Sequence, residues 1–304
     1  MKRFKGLISA PFTPMKADGS VNLRMIERLA ASLEANRVTG AFVCGTTGEG
    51  VSLTVAERMK VAERWQACAS DRLRVIVHVG HTSLGDCRAL AAHAQKIGAA
   101  AFGCMAPFCF KPKKAEDLTA FLAEVAAAAP ELPFYYYHIP CVTGVTVPAL
   151  DFLRAAADKI PNLAGVKFTD ENLMDYAACV RFEGGRYDVV FGRDEILLAG
   201  LAMGAQGAIG STYNYAAPIY TRLIAAFKRG DLAAAQAAQA RANAMIGVLH
   251  RFGGSPAVGK AFMRLVGLDC GTSRLPLRPL DEAQVEALRA EAEAVGFFDF
   301  ASRA

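Results

Sequence analysis

Short apolar runs alternate with longer amphipathic stretches along this chain, and the alternation limits the folds that it can adopt. Eight runs have the length and composition of buried strands: residues 6–10, 40–44, 74–79, 100–106, 133–139, 163–169, 188–191 and 207–210. Stretches with helical spacing separate them, and the segment from Thr54 to Glu57 forms a capping box that opens one of these helices. Eight strands with helical crossovers predict an α/β fold, a TIM (β/α)8 barrel. A doubly wound open sheet is the alternative, but no G-x-G-x-x-G loop follows the first strand.

The chain has 304 residues and is 53% hydrophobic, which is enough to bury one large core. We therefore predict a single domain over residues 1–304, with a barrel over 1–230 and a C-terminal helical extension over 231–304. Within the extension, Ser255 and Pro256 should start a helix as its N-cap and first residue. The extension carries no obvious chemistry, and we interpret it as helical packing.

Composition argues against several classes of partner. The formal net charge is only +5 and no long basic run is present, so we expect no nucleic acid to bind. No segment approaches the ~20 apolar residues that span a bilayer, and the N-terminus lacks a signal-peptide core, so we expect no membrane association. The eight cysteines include no C-x-x-C pair, which favours a reducing compartment over a metal site. A soluble, cytoplasmic protein is the expectation.

Lys167 is unusual because it lies within an apolar run, between Pro161 and Asp170, that reads as a buried parallel strand. A buried lysine must find a partner or lose its proton, since a charged amine in an apolar site is costly. A neutral amine in a dry pocket is a nucleophile toward carbonyls, so Lys167 is a candidate for forming a Schiff base. The alternative is an edge-strand lysine whose amine reaches water.

The two faces of this strand differ in character. Period-two alternation places Gly165, Lys167 and Thr169 on one face and Ala164, Val166 and Phe168 on the other. The apolar face suits the layer beneath the outer helices, so the first face should point into the barrel. Gly165 would leave space below the lysine, and Thr169 would supply a hydroxyl above it. Tyr137, near the end of the preceding strand, should project beside Lys167, where its phenol could shuttle protons.

Three loops that follow predicted strands carry further candidates. The segment Gly45 to Gly50 (GTTGEG) offers glycines, backbone N–H groups and the hydroxyls of Thr46 and Thr47, which suit a carboxylate. An ordinary turn is its alternative interpretation. Two other loops carry polar groups suited to a polyhydroxylated substrate, or to helix capping: Gly192, Asp194 and Glu195 after the seventh strand, and Ser211 after the eighth.

Together these segments resemble the dihydrodipicolinate synthase/N-acetylneuraminate lyase family of class I aldolases over nearly the whole chain. The resemblance depends on GTTGEGVSLTVAER (45–58), EVAAAAPELPFYYYHIP (124–140), GVKFTDENL (165–173), GRDE (192–195) and GSTYN (210–214). The first and third segments mark the superfamily, whereas YYYHIP and GSTYN are typical of the lyase branch.

The resemblance implies a role for each candidate. Lys167 would form the Schiff base with a 2-keto sugar acid and Tyr137 would be the acid/base phenol, while Thr46 and Thr47 would bind the substrate carboxylate. The residues that would contact the sugar chain are Thr169, Gly192, Asp194, Glu195 and Ser211. The family is commonly homotetrameric and needs no metal or organic cofactor.

Two positions depart from the pattern of related proteins. Synthases usually have an arginine two residues after the proline of the fifth-strand motif, where this chain has Val142, which argues against the synthase activity. Many members also supply a tyrosine from a neighbouring subunit on the loop after the fourth strand, where this chain has Phe108 and Phe110. A proton relay through that tyrosine is therefore not expected.

The function implied is reversible retro-aldol cleavage of N-acetylneuraminate to N-acetylmannosamine and pyruvate. Another pyruvate-dependent aldolase or dehydratase, acting on a 2-keto-3-deoxy sugar acid, stays open as an alternative. A barrel that senses a keto acid without turnover is a more distant one, because Lys167 and Tyr137 are both present.

Overall fold

The computed structural model describes residues 3–304 as a closed barrel of eight parallel strands. The strands are β1 (Gly6–Ser9), β2 (Gly40–Val43), β3 (Arg74–His78), β4 (Ala101–Met105), β5 (Phe134–His138), β6 (Leu163–Phe168), β7 (Asp188–Phe191) and β8 (Gly207–Gly210). Neighbours along the chain pair with each other, and β8 pairs with β1 to close the barrel. The predicted TIM barrel is confirmed, and no predicted strand end is displaced by more than one residue.

Helices surround the strands and continue past the barrel. They are α1 (Met25–Ala35), α2 (Val55–Ala67), α3 (Leu84–Lys96), α4 (Ala115–Ala127), α5 (Pro140–Thr143), α6 (Ala149–Ala156), α7 (Leu173–Arg181), α8 (Leu197–Ala202), α9 (Tyr213–Lys228), α10 (Leu232–Arg251), α11 (Pro256–Leu265) and α12 (Glu282–Ala294). The capping box at α2 is confirmed, because Thr54 and Glu57 each accept a backbone hydrogen bond from the other. Ser255 precedes α11 as predicted, but its hydroxyl makes no capping hydrogen bond. Within residues 3–304, no helix has both the length and the apolar character that crossing a membrane requires.

Apolar side chains form two separate cores, one between the strands and the helices and one inside the barrel. Val166 and Phe168 lie in the outer core, as the alternation of β6 predicts. Ala164 was expected beside them and instead packs inside the barrel. The cause is a β-bulge, since the pairing between β5 and β6 shifts register at this point and leaves Ala164 without a partner residue.

Gly165 also has a different role from the one predicted. A Cβ atom at this position would lie 1.8 Å from the backbone oxygen of Asp188 on β7. Glycine is therefore required by the close approach of two strands, rather than by space for Lys167.

The C-terminal extension is tied to the loop between β2 and α2. Lys260 on α11 forms a buried ion pair of 2.7 Å with Glu49, and its amine also donates to the backbone oxygen of Thr272. The backbone N–H of Arg274 donates to the other oxygen of Glu49, and the guanidinium of Arg274 pairs with Glu57. These contacts connect the extension to the segment that carries Thr46 and Thr47.

Candidate active site

A cavity of about 270 Å3 opens at the carboxyl ends of the strands, where active sites of this barrel type lie. All nine site residues predicted from the sequence line it: Thr46, Thr47, Tyr137, Lys167, Thr169, Gly192, Asp194, Glu195 and Ser211. A larger cavity of about 940 Å3 lies by Arg3, Lys5 and Arg74 and contains none of these groups. The nucleophile, the phenol, the hydroxyls and the carboxylates thus converge in the cavity of about 270 Å3.

Lys167 is buried inside the barrel, with only 4% of the residue exposed. Its Nζ lies 3.9 Å from the centre of the Tyr137 ring and 4.1 Å from the centre of the Phe42 ring. Burial lowers the pKa of this amine to about 7, although the charge of Asp194 acts in the opposite direction. About half of the amine is therefore neutral at pH 7. The alternative interpretation of Lys167, as an edge-strand lysine whose amine reaches water, is therefore excluded.

Tyr137 stands directly beside Lys167, because the two residues are register partners of β5 and β6. Burial raises the pKa of the phenol to about 12, while interactions with the hydroxyls of Thr46 and Thr169 lower it in part. The rings of Phe42 and His78 pack edge-on against the phenol, with centroids 5.4 and 5.7 Å away. At neutral pH the phenol is protonated. It can therefore donate its own proton to one group while it accepts a proton from another.

The loop that carries Thr46 and Thr47 is held in a fixed shape. Its backbone is left-handed at Glu49, with φ of 54°, and the side chain of this residue is completely buried against Lys260. At Gly50 a Cβ atom would lie 1.9 Å from the backbone oxygen of Cys44, so only glycine fits. A loop fixed in this way keeps its two threonine hydroxyls at the cavity edge, where a substrate carboxylate can be bound.

Asp194 is the buried carboxylate of the site. One of its oxygens accepts hydrogen bonds from the backbone N–H and the hydroxyl of Thr212, at 3.0 and 2.7 Å, and the other oxygen has no partner. Burial, helped by the charge of Glu195, raises the pKa of Asp194 to about 6. Thr212 precedes α9, so Asp194 holds the residue at the start of that helix, and Asp194 also lines the cavity.

Two glycines at the same end allow these polar groups to approach each other. A Cβ atom on Gly210 would lie 1.7 Å from the free oxygen of Asp194, and one on Gly192 would lie 2.0 Å from the hydroxyl of Thr169. The hydroxyl of Thr169 is buried and interacts with the phenol of Tyr137, but it makes no hydrogen bond of good geometry. The site therefore contains a buried hydroxyl and a buried carboxylate oxygen that both have hydrogen-bonding capacity left for a polar ligand.

Sequence reasoning missed the part of the cavity wall that comes from the C-terminal extension. The residues that the extension contributes are Leu249, Gly254, Ser255, Pro256 and Gly259. The extension packs against the barrel as predicted, and it also forms one side of the site, which was not predicted. No chemical signal in the sequence marks these residues, since their side chains are small or apolar. Arg193 lies between two predicted residues and also lines the cavity, yet it was given no role.

Of the two departures noted above, Phe110 is 91% exposed and Val142 is 48% exposed, and neither lines the cavity. In the described part of the chain, no group of three or more histidine, cysteine, aspartate or glutamate residues is arranged to hold a metal ion.

Comparison with known proteins places the chain in a family. The dihydrodipicolinate synthetase family matches residues 3–295. The N-acetylneuraminate lyase of Rattus norvegicus is 41% identical over 98% of this chain and 95% of the rat protein. N-acetylneuraminate lyase A of Xenopus laevis is 45% identical over 91% of each chain. The solved structure of Proteus mirabilis N-acetylneuraminate lyase, 44% identical, covers 97% of this chain and 100% of its own, with a TM-score of 0.94. The chain is a member of the dihydrodipicolinate synthetase family.

Proposed function

We propose that this protein is an N-acetylneuraminate lyase, a class I aldolase that reversibly cleaves N-acetylneuraminate to N-acetylmannosamine and pyruvate. The observation that carries the proposal is a buried amine with a pKa of about 7 next to a phenol, in a cavity lined by hydroxyls and carboxylates. Similarity to N-acetylneuraminate lyases at 41–45% identity supports the choice of substrate.

The reaction begins with attack of neutral Lys167 on the ketone carbon of the open-chain sugar acid. Loss of water and uptake of one proton from solvent leave an iminium, which serves as the electron sink. Thr46 and Thr47, on their fixed loop, bind the carboxylate of the substrate and so orient the ketone toward the amine. The burial that lowers the pKa of Lys167 supplies the neutral amine that this step needs.

Bond cleavage then requires removal of the proton from the 4-hydroxyl. With a pKa of about 12, Tyr137 is protonated at rest, so it accepts this proton as its own moves to the substrate carboxylate. The bond between carbons 3 and 4 breaks, its electrons enter the iminium, and N-acetylmannosamine leaves. The proton on the substrate carboxylate then passes to the enamine carbon and regenerates the iminium. Hydrolysis of that iminium by water releases pyruvate, neutral Lys167 and the proton taken up at the start.

The remaining polar groups contact the sugar chain in this proposal. Asp194 and Glu195 accept hydrogen bonds from its hydroxyls, since carboxylates are acceptors only. Thr169 and Ser211 can both donate and accept, and Gly192 leaves room for the hydroxyl of Thr169.

A coupled assay of pyruvate release from N-acetylneuraminate tests the function. Wild-type protein should release pyruvate, and Lys167→Ala should lower kcat by at least about 1000-fold, because the nucleophile is lost. Borohydride added with pyruvate should leave a stable adduct on Lys167. A 2-keto-3-deoxygluconate assay run in parallel identifies the sugar-acid alternative. Cleavage that survives in Lys167→Ala would refute the Schiff-base assignment.

We also propose that the enzyme is a homotetramer that acts in the cytoplasm. The resemblance to the family supports the tetramer, and the large exposed area of Phe110 is compatible with a protein contact. All eight cysteines are free thiols, which suits a reducing compartment.

A further inference from the structure

Arg193 is a cation at the edge of the cavity whose role is not explained by the aldol chemistry. Its guanidinium pairs with Glu171, on the loop after β6, and its Nε lies 3.8 Å from a carboxylate oxygen of Glu195. Only 26% of the Arg193 side chain is exposed, and its Nε–H is buried without a hydrogen-bond partner. The guanidinium thus links two neighbouring loops of the barrel.

Glu195 occupies a different depth from the other carboxylate of the site. Asp194 is 5% exposed and its charge acts on Lys167, whereas the Glu195 side chain is 32% exposed. Glu195 is therefore the more solvent-accessible of the two carboxylates, as expected for a group toward the cavity mouth. Among residues 3–304, Lys167 and Arg193 are the cations that line the cavity, so Arg193 is the described group beside Glu195 that can orient its carboxylate by charge.

We propose that Arg193 is a positioning residue that holds Glu195 toward the distal hydroxyls of the sugar chain. The proposal rests on the proposed function and extends it to the choice of a long substrate. A carboxylate held in place forms its hydrogen bonds with less loss of side-chain freedom than a mobile one. The 3.8 Å separation of Nε from Glu195 leaves room for the pair to tighten when a substrate fills the mouth.

The synthetic direction separates the two ends of the site, because pyruvate occupies the deep end and N-acetylmannosamine the distal end. For Arg193→Gln we expect the KM for N-acetylmannosamine to rise about tenfold, the size expected for one hydrogen bond to a charged group. The KM for pyruvate and the rate of borohydride trapping with pyruvate should stay within about twofold. Arg193→Lys, which keeps the charge, should recover most of the affinity.

Two further variants distinguish positioning from a general loss of structure. Arg186→Gln removes an arginine that pairs with Glu183 near the opposite end of β7, and it should leave both KM values unchanged. The double variant Arg193→Gln/Glu195→Gln should be no worse than Glu195→Gln, since Arg193 acts through Glu195.

The outcomes are distinguishable. Equal rises in both KM values for Arg193→Gln, or losses that add fully in the double variant, would overturn the positioning role. Wild-type protein that traps pyruvate but forms no N-acetylneuraminate would overturn the proposed function and this inference with it.

Discussion

At the scale of single residues, Lys167 combines two properties that oppose each other. Its amine is placed between two aromatic rings, which attract a cation, yet burial removes the water that would stabilise the charge. Desolvation is the larger effect, so the pKa falls to about 7. The apolar strand around Lys167 is thus the source of the reactivity assigned to this residue.

This pKa predicts the pH dependence of imine formation. Because the neutral amine is the nucleophile, the rate of pyruvate-dependent borohydride trapping should rise with pH and level off above about 7. At pH 6 the rate should be about a tenth of the plateau, since one pH unit changes the neutral fraction about tenfold below the pKa. Mass spectrometry of the trapped protein across pH 5–11 measures this rate. A midpoint near 10 would show that the amine is not desolvated in solution.

At the scale of elements, the strands were predictable because parallel strands buried on both faces read as continuous apolar runs. The face on which Ala164 lies could not be predicted. A β-bulge turns the side chains that precede it to the other face of the strand, and it leaves no mark in the composition. The nine predicted site residues were identifiable because each is polar, or is a glycine, at a strand end. The cavity residues of the extension could not be identified from the sequence, since an apolar wall has no chemical signature; these include Leu249, Pro256 and Gly259. The assigned catalytic roles are still predictions.

The buried ion pair between Glu49 and Lys260 gives a prediction at this scale. Lys260→Met should destabilise the protein by about 3–5 kcal/mol, because it leaves a buried carboxylate without its cation. The KM for pyruvate should rise as well, since Glu49 lies in the loop that carries Thr46 and Thr47. Urea unfolding and synthetic-direction kinetics measure the two effects.

Two controls accompany this variant. Arg264→Gln removes an exposed cation paired with Glu282 and should change stability by no more than about 1 kcal/mol. Glu49→Gln/Lys260→Met, which removes both charges, should recover part of the lost stability. If Lys260→Met unfolds at the wild-type urea concentration, the pair contributes nothing to the attachment of the extension.

At the scale of the whole molecule, the proposed tetramer predicts a particle of about four times the 32.3 kDa chain mass in light scattering. Phe110→Asp should lower that mass, because it places a charge where an exposed aromatic ring is available to a neighbouring subunit. Leu232→Asp, a similar change at the start of α10, is the matched control and should keep the wild-type mass. A wild-type particle of single-chain mass would contradict the tetramer.

The tie between the extension and the β2 loop also has a consequence for synthesis of the chain on the ribosome. The first strand keeps an unpaired edge until β8 emerges, because β8 closes the barrel against it. The loop with Thr46 and Thr47 becomes fixed later than the barrel closes, because the partner of its buried Glu49 is Lys260, which is synthesised after β8. A nascent chain that has completed the barrel therefore contains Lys167 and Tyr137 but lacks the ion pair that fixes this loop. The site is finished by residues that the ribosome adds only after the barrel strands, so a chain interrupted before them lacks one wall of the site.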